Sequence, residues 1–218
     1  EPEHMKAYLD AANVRGLLPM FYLELSSGLR RGELLALQWE DLNVKERILT
    51  VNKQVTRMEG ELDVTEPKTK NSVRKVALSQ QAVDLLVQEH EQHPDNPILF
   101  PSPRTGGYWS PDAVSRINRK LLKSAGIEEH VRFHDLRHTF ATMAISSGVD
   151  VKTLSSMLGH FSAGFTLDTY THITNDMQRG AAEKIGGFME SVTAANTPEP
   201  PDSPEENRCK VIPFEKVG

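Results

Sequence analysis

The chain has little of what secreted and membrane proteins depend on. Its 218 residues include one cysteine, Cys209, so no disulfide can form within the chain. The disulfide frameworks of small secreted domains are therefore excluded. No apolar run approaches the roughly 20 residues that a bilayer-spanning helix needs. These two absences predict a protein without a membrane span that works in a reducing cytoplasm.

Positive charge is also scarce. The formal net charge is −5 at pH 7, whereas a protein that binds duplex DNA usually carries a basic surface. Basic residues are nevertheless gathered locally, since Lys and Arg outnumber Asp and Glu between Arg104 and Arg137. From charge alone, this stretch is either a surface that faces DNA or a set of solvated helix faces.

The composition is that of an ordinary globular domain. Hydrophobic residues make up 38% of the chain and charged residues 25%, and this length suffices for one substantial core. We expect a folded domain over residues 1–193 and a flexible tail rich in Pro and Glu over residues 194–218. Because the chain begins at Glu1 without Met or an apolar leader, we also expect it to be part of a longer protein.

The spacing of apolar residues predicts a mainly α-helical chain with a small antiparallel β-sheet, an α+β fold. Two β-branched runs are expected to pair as strands across a turn at residues 68–71. Their predicted bounds are 48–55 and 72–78. Helices are predicted at 3–13, 17–27, 33–37, 79–93, 110–124, 134–146, 151–158, around 170 and at 176–192.

The segment Phe133-His134-Asp135-Leu136-Arg137-His138 opens the most informative helix. Its buried stripe is predicted from apolar residues three and four apart: Phe133, Leu136, Phe140 and Met143. His134 and Arg137 are three apart and share one flank of this helix. An imidazole beside a guanidinium suits a phosphodiester, which a guanidinium can bind through two oxygens. The alternative is that both side chains pair with nearby carboxylates.

A second motif, GLRRGE at 28–33, places Arg30 at a break between two helical segments. The flanking Gly28 and Gly32 would let the backbone approach a ligand closely. Glu33 lies three residues after Arg30 and could hold its guanidinium. The alternative is a simple salt bridge at a helix end.

Two further motifs supply a basic turn and a phenol. PKTK at 67–70 is a hairpin tip whose lysine could protonate a leaving alkoxide if neighbouring cations lower its pKa; a turn lysine is otherwise merely solvated. LGH at 158–160 precedes Tyr170 by ten residues. Since a phenol has a pKa of about 10, Tyr170 needs a base or a cationic pocket to act as a nucleophile.

The order of these motifs, GLRRGE, PKTK, HDLRHTFAT, LGH and TLDTY, resembles that of the tyrosine recombinase (phage integrase) family. The resemblance extends over residues 17–190 and is nearest to integrases of conjugative transposons and temperate phages. It implies the tyrosine recombinase catalytic-domain fold. It also implies an enzyme that moves a mobile genetic element by cutting and rejoining DNA at specific sites.

The resemblance further implies that four side chains surround one phosphate of a DNA strand. Arg30 and Arg137 would hold its non-bridging oxygens and stabilise the pentacoordinate transition state. His134 would accept or relay the tyrosine proton. His160 would donate a hydrogen bond to a phosphate oxygen.

The nucleophile and the general acid are implied in the same way. Tyr170 would form a 3′-phosphotyrosyl bond, which a 5′-hydroxyl of a partner strand then attacks on the way through a Holliday junction. Lys68 would protonate the departing 5′ oxygen, with Lys70 as a competing candidate because one sequence does not determine the register of the turn. This exchange requires no metal, no cofactor and no nucleotide triphosphate.

The expected partners are double-stranded DNA at core recombination sites and further copies of the chain, from dimer to tetramer. An accessory directionality factor is a further candidate partner, and no membrane is expected. The location implied is the cytoplasm of a bacterium, in association with the nucleoid.

Three alternatives remain open from the sequence. A zinc hydrolase would use His134, His138 and His160 as ligands and Asp135 as its catalytic acid, although Arg137 would then place a permanent cation between two ligands. A non-catalytic module would bind DNA through the basic residues 116–123. A type IB topoisomerase would use the same nucleophile without specific sites.

Overall fold

The computed structural model describes residues 2–58, 60–66, 73–159 and 171–194. The helices in these ranges are α1 (Pro2–Val14), α2 (Leu18–Ser27), α3 (Arg31–Ala36), α4 (Gln80–Glu91), α5 (Pro111–Ser124), α6 (Phe133–Ser146), α7 (Val151–Leu158) and α8 (Thr171–Ala194), with a 3-10 turn at Trp39–Asp41. The strands are β1 (Leu42–Asn43), β2 (Ile48–Val51), β3 (Gln54–Met58), β4 (Glu61–Thr65) and β5 (Arg74–Ala77). The predicted class, mainly helical with a small antiparallel sheet, is confirmed.

The strands form two small sheets. The predicted antiparallel pairing of the two β-branched runs is confirmed, as that of β2 with β5, and the turn predicted between them at residues 68–71 lies outside the described residues. In the first, β2 lies between β1 and β5, and both pairings are antiparallel, with Leu49 opposite Val76. The prediction of one strand over residues 48–55 is wrong, because the chain leaves the first sheet after Val51 and begins β3 at Gln54. Strand β3 pairs with β4, an element that the sequence did not predict.

Local sequence accounts for several helix ends. Ser79 caps α4 as predicted, since its hydroxyl accepts a hydrogen bond from the Ala82 amide at 3.2 Å. Asp150 caps α7 in the same way, accepting from the Thr153 amide at 2.9 Å. Pro111 occupies the first turn of α5, where its missing N–H costs nothing. Gly28 ends α2 in the left-handed conformation with φ 61°.

Two groups of buried apolar side chains meet along α6. The larger group contains residues of the five helices from α1 to α5 and of the first sheet. It reaches the start of α6 through Phe133 and Leu136. The smaller group packs the rest of α6 against α7, with Phe140, Ile145 and Leu154 at its centre. Because α6 is held on both sides, the residues at its N-terminal end have fixed positions.

The chain divides into two compact units, Glu1–Met177 and Gln178–Gly218. All five strands belong to the first unit, together with α1 to α7. In the second unit, α8 exposes apolar side chains at Ile185, Phe188, Met189 and Val192. The expected tail falls outside the described residues from 195 onward, so the boundary at 193/194 stays a prediction. Within the described ranges, no helix has the length and apolar character to cross a bilayer.

Candidate active site

Arg30 stands at the N-terminal end of α3, in extended conformation. Its Nη1 donates to Glu33 Oε1 at 2.8 Å, and its backbone N–H donates to Glu33 Oε2 at 2.9 Å. Its Nη2 donates to the Gly159 carbonyl at 3.2 Å. The side chain remains 37% exposed, so the guanidinium is oriented by the protein and still reachable from solvent.

Glu33 binds a second arginine that the sequence reasoning missed. Arg74 Nη1 lies 3.0 Å from Glu33 Oε1, and Nη2 lies 2.8 Å from Oε2, so the pair is bidentate. Glu33 is 1% exposed. Burial alone would raise the pKa of Glu33, but the hydrogen bonds and charges of Arg74 and Arg30 outweigh it and hold that pKa below the usual value. Glu33 is therefore an ionised, buried carboxylate between two cations.

Arg74 also connects the first sheet to α7. Its Nε donates to the Met157 carbonyl at 2.6 Å. On β5, burial alternates so that Arg74 and Val76 point inward. A signal for this residue existed in the sequence: an arginine in phase with the buried face of a strand needs a partner in the interior.

Arg137 is the most deeply placed of the predicted site residues that the structure describes, at 4% exposed. Its Nη1 donates to the Gly28 carbonyl at 2.6 Å and its Nη2 to the Leu158 carbonyl at 2.7 Å. These contacts are to main-chain carbonyls rather than to the carboxylates of the alternative interpretation. Burial lowers the pKa of Arg137 to about 10, and the charge of Arg30 acts in the same direction. Arg137 is still a cation at neutral pH.

The two predicted arginines converge on one turn. Arg137 binds the carbonyl of Leu158 and Arg30 binds that of Gly159, so adjacent peptide groups at the end of α7 hold both guanidiniums. Gly159 has φ 65°, which turns the chain sharply there. Two fixed cations at one point form a site for an anion with several oxygens, such as a phosphodiester.

His134 is exposed one turn before Arg137 on α6. Its ring meets that of His138 edge to face, with centroids 5.2 Å apart. Partial burial lowers the pKa of His134, and the charges of His138 and Arg137 lower it further. A neutral imidazole at neutral pH can accept a proton, as its proposed role requires.

Four candidate residues fall outside the described part of the chain: Lys68, Lys70, His160 and Tyr170. Their roles stay predictions. The zinc alternative also depends on His160. Among the described residues, no three His, Cys, Asp or Glu side chains are grouped so as to hold a metal ion.

Glu24 lies in the interior of the first unit and was not singled out from the sequence. It is 0% exposed, and within the described part of the chain neither carboxyl oxygen has a hydrogen-bond partner. Burial raises its pKa well above the usual value, against the opposing charge of Arg137. The interior around Glu24 therefore favours its neutral form over its carboxylate.

A comparison with known protein families gives the same family as the motifs do. Residues 3–177 match the sequence model of the phage integrase family. The chain belongs to the phage integrase family. The resemblance predicted from the five motifs is confirmed.

Individual relatives of this family member include integrases and recombinases. It is 32% identical over 201 residues to the ICEBs1 integrase of Bacillus subtilis strain 168, covering 86% of this chain and 54% of that protein. It is 30% identical over 209 residues to a XerC-like tyrosine recombinase of Caldanaerobacter subterraneus, covering 86% and 53%. The chain thus spans about half the length of the curated relatives that it matches.

Solved structures show the same fold. The XerA recombinase is 27% identical and superimposes with a TM-score of 0.68, over 83% of this chain and 63% of that one. The integrase of the Tn1549 transposon, solved with transposon right-end DNA, is 23% identical and gives a TM-score of 0.74, over 85% and 65%. This integrase-family chain has the tyrosine recombinase catalytic-domain fold.

Proposed function

We propose that the chain is the catalytic part of a site-specific DNA recombinase, which cuts and rejoins strands through Tyr170 to move a mobile genetic element. One observation supports this proposal above the others: Arg30 and Arg137 are held on the adjacent carbonyls of Gly159 and Leu158, so that two guanidiniums lie at one turn. Family membership supports the reaction class.

The proposed reaction is a balanced exchange of one phosphodiester for another. The Tyr170 oxygen attacks the scissile phosphorus, the bond to the 5′ oxygen breaks, and a 3′-phosphotyrosyl bond forms. His134 takes up the phenolic proton, and Lys68 or Lys70 gives one to the departing oxygen. A 5′-hydroxyl from another strand then displaces the tyrosine.

The arginines contribute electrostatic stabilisation. Charge on the phosphate oxygens grows as the phosphorus becomes pentacoordinate, and fixed guanidiniums stabilise that charge without reorganising. His160 adds a hydrogen bond to one oxygen. No metal and no high-energy cofactor enter the exchange, because the phosphotyrosyl bond retains the phosphoester energy.

The proposed partners are double-stranded DNA at core sites and further copies of the protein, two to four on one DNA assembly, with an accessory directionality factor. Relatives support these partners. The Tn1549 integrase was solved with transposon DNA, and lambda integrase was solved as a dimer bound to a core site. We place the reaction in the bacterial cytoplasm, on DNA of the nucleoid.

The decisive test is covalent capture. A nicked duplex carrying the end sequence of the element would lose a short fragment after cleavage, so that the protein stays attached to DNA. The wild-type protein should give a DNA-linked band under denaturing conditions, and Tyr170→Phe should bind the duplex equally well without giving that band. A wild-type protein that binds but never becomes attached would identify a DNA-binding module instead.

The general acid can be identified by changing the leaving atom. If Lys68 protonates the 5′ oxygen, Lys68→Ala should cleave slowly, and replacing that oxygen by sulfur should restore the rate, since a thiolate leaves without a proton. Lys70→Ala is the matched control and should behave as wild type on both substrates. The reversed pattern would assign the role to Lys70.

Arg30 and Arg137, the pair proposed to hold the phosphate and called the arginine clamp from here on, predict a large kinetic effect. Arg30→Ala or Arg137→Ala should lower the single-turnover cleavage rate by roughly 10²-fold or more, the scale of losing one donor to a transition-state oxyanion. Unchanged cleavage by Arg137→Ala would contradict the clamp.

A further inference from the structure

A recess lies beside the candidate active site, between α5 and the segment that leads into α6. Its volume is about 440 Å³. The described residues that line it are Arg31, Ser115, Asn118, Arg119, His130, Val131, Arg132, Phe133 and His134. It adjoins the site at two points, because Arg31 follows Arg30 in the chain and His134 belongs to both.

The charge of this recess is of one sign. Three guanidiniums and two imidazoles line it, and none of its described lining residues is acidic. Arg119 and Arg132 are exposed. Arg132 pairs with Asp135 at 2.9 Å, yet its side chain is 70% exposed, so its charge also reaches the solvent in the recess. Such a concentration of cations, in a chain of net charge −5, favours an anionic ligand.

Two side-chain acceptors of the wall, in Asn118 and Ser115, are already engaged. Asn118 Oδ1 accepts from the Tyr8 hydroxyl at 2.7 Å, and its Nδ2 donates to the Val131 carbonyl at 3.1 Å. The hydroxyl of Ser115 accepts from Arg31 Nη1. The groups left to face a ligand include the guanidinium of Arg119 and those N–H groups of Arg132 that do not bind Asp135. Such guanidinium donors suit the oxygens of a phosphate.

We infer that this recess binds a phosphate of the DNA backbone next to the phosphate that is cleaved, and so determines which phosphodiester reaches Arg30 and Arg137. The inference rests on the proposed function for its ligand, DNA. The recess would be a second anion site, with Arg119 and Arg132 as the main contacts. These residues would position the DNA backbone and would not recognise base sequence.

The test is the salt dependence of equilibrium binding. Two duplexes of unrelated base sequence are titrated with the full chain over a range of salt concentrations. Arg119→Ala should make the slope of log affinity against log salt shallower by about 0.9, the value for one phosphate contact on duplex DNA. The loss of affinity should be the same on both duplexes, because a phosphate contact carries no sequence information.

Two matched variants sharpen the test. Lys45→Ala removes the same charge from an exposed position between β1 and β2, outside the recess and outside the basic stretch 104–137, and should leave the slope as in wild type. Arg119→Lys keeps the charge and should restore the slope. If Lys45→Ala and Arg119→Ala change the slope equally, or if Arg119→Lys loses affinity on one duplex alone as a base contact would, the inference is wrong.

These outcomes are independent of cleavage. If Arg119 determines the slope as expected but covalent capture fails, the phosphate site stands and the recombinase proposal falls. If capture succeeds while Arg119→Ala keeps the wild-type slope, the recombinase proposal stands and the phosphate site falls.

Discussion

Glu33 shows how one buried carboxylate organises the candidate site. It binds both Arg30 and Arg74, at distances of 2.8 to 3.0 Å. If one charge of a buried ion pair is removed, the remaining charge stays buried without a partner. The resulting loss of stability is larger than the stability that the intact pair contributes. Glu33→Gln should therefore lower the free energy of unfolding by about 3–5 kcal/mol, measured by urea denaturation.

A surface ion pair gives the matched control for this substitution. Glu40 lies 3.8 Å from Lys53, and its side chain is 78% exposed. Glu40→Gln should change the unfolding free energy by less than about 1 kcal/mol, as for other exposed pairs. Equal effects of the two substitutions would show that the buried network is not a structural centre.

For individual residues, the sequence predicted hydrogen-bond partners that are close along the chain and missed those that are far apart along it. The contact of Arg30 with Glu33 follows from a spacing of three residues at a helix start. Arg74 is 41 residues from Glu33 along the chain, and its place beside Glu33 depends on how β5 packs against α3 and α7. Such a contact is a property of tertiary structure, which spacing does not encode.

At the scale of elements, the turn after α2 connects helix packing to the arginine clamp. Gly28 has a positive φ of 61°, and a Cβ there would overlap the ring of Phe140 on α6. Its carbonyl accepts a hydrogen bond from Arg137. Gly28→Ala combines left-handed strain with overpacking and should destabilise the protein by roughly 2 kcal/mol or more.

Gly126 separates these two causes. It has φ 72° after α5, and a Cβ there would meet nothing within 4 Å. Gly126→Ala therefore carries the conformational cost alone, about 1–2 kcal/mol. In thermal denaturation, Gly28→Ala should have a lower Tm than Gly126→Ala. The reverse order would contradict the packing argument.

The elements themselves were predicted unequally. Helices with an apolar stripe and a capping residue, such as α4 after Ser79, were predicted to within a few residues because both signals are local. Strand β4 was missed because it has no buried residue to mark a period of two. It is specified instead by its hydrogen bonds to β3, which a polar stretch of sequence does not show.

Considered as a whole, the first unit contains two glutamates whose pKa values shift in opposite directions. Glu33 has a lowered pKa, so its contribution to stability is present above the pKa of an unfolded glutamate and is lost as the pH falls through the folded value. Glu24 has a raised pKa, so the folded state is favoured at low pH and loses stability as the pH rises. These two glutamates therefore contribute opposed terms to the pH dependence of unfolding.

Glu24→Gln isolates the second term. As the pH rises above the usual glutamate pKa of 4.5, the unfolded chain releases the proton of Glu24 more readily than the folded protein does, which lowers the stability of the wild type. Glutamine has nearly the same shape and does not titrate. The difference in unfolding free energy, Glu24→Gln minus wild type, from urea denaturation at several pH values above 4.5, should therefore increase as the pH rises. A difference that stays constant with pH would mean that Glu24 titrates alike in the folded and unfolded protein, so that the interior around Arg137 holds two carboxylates rather than one.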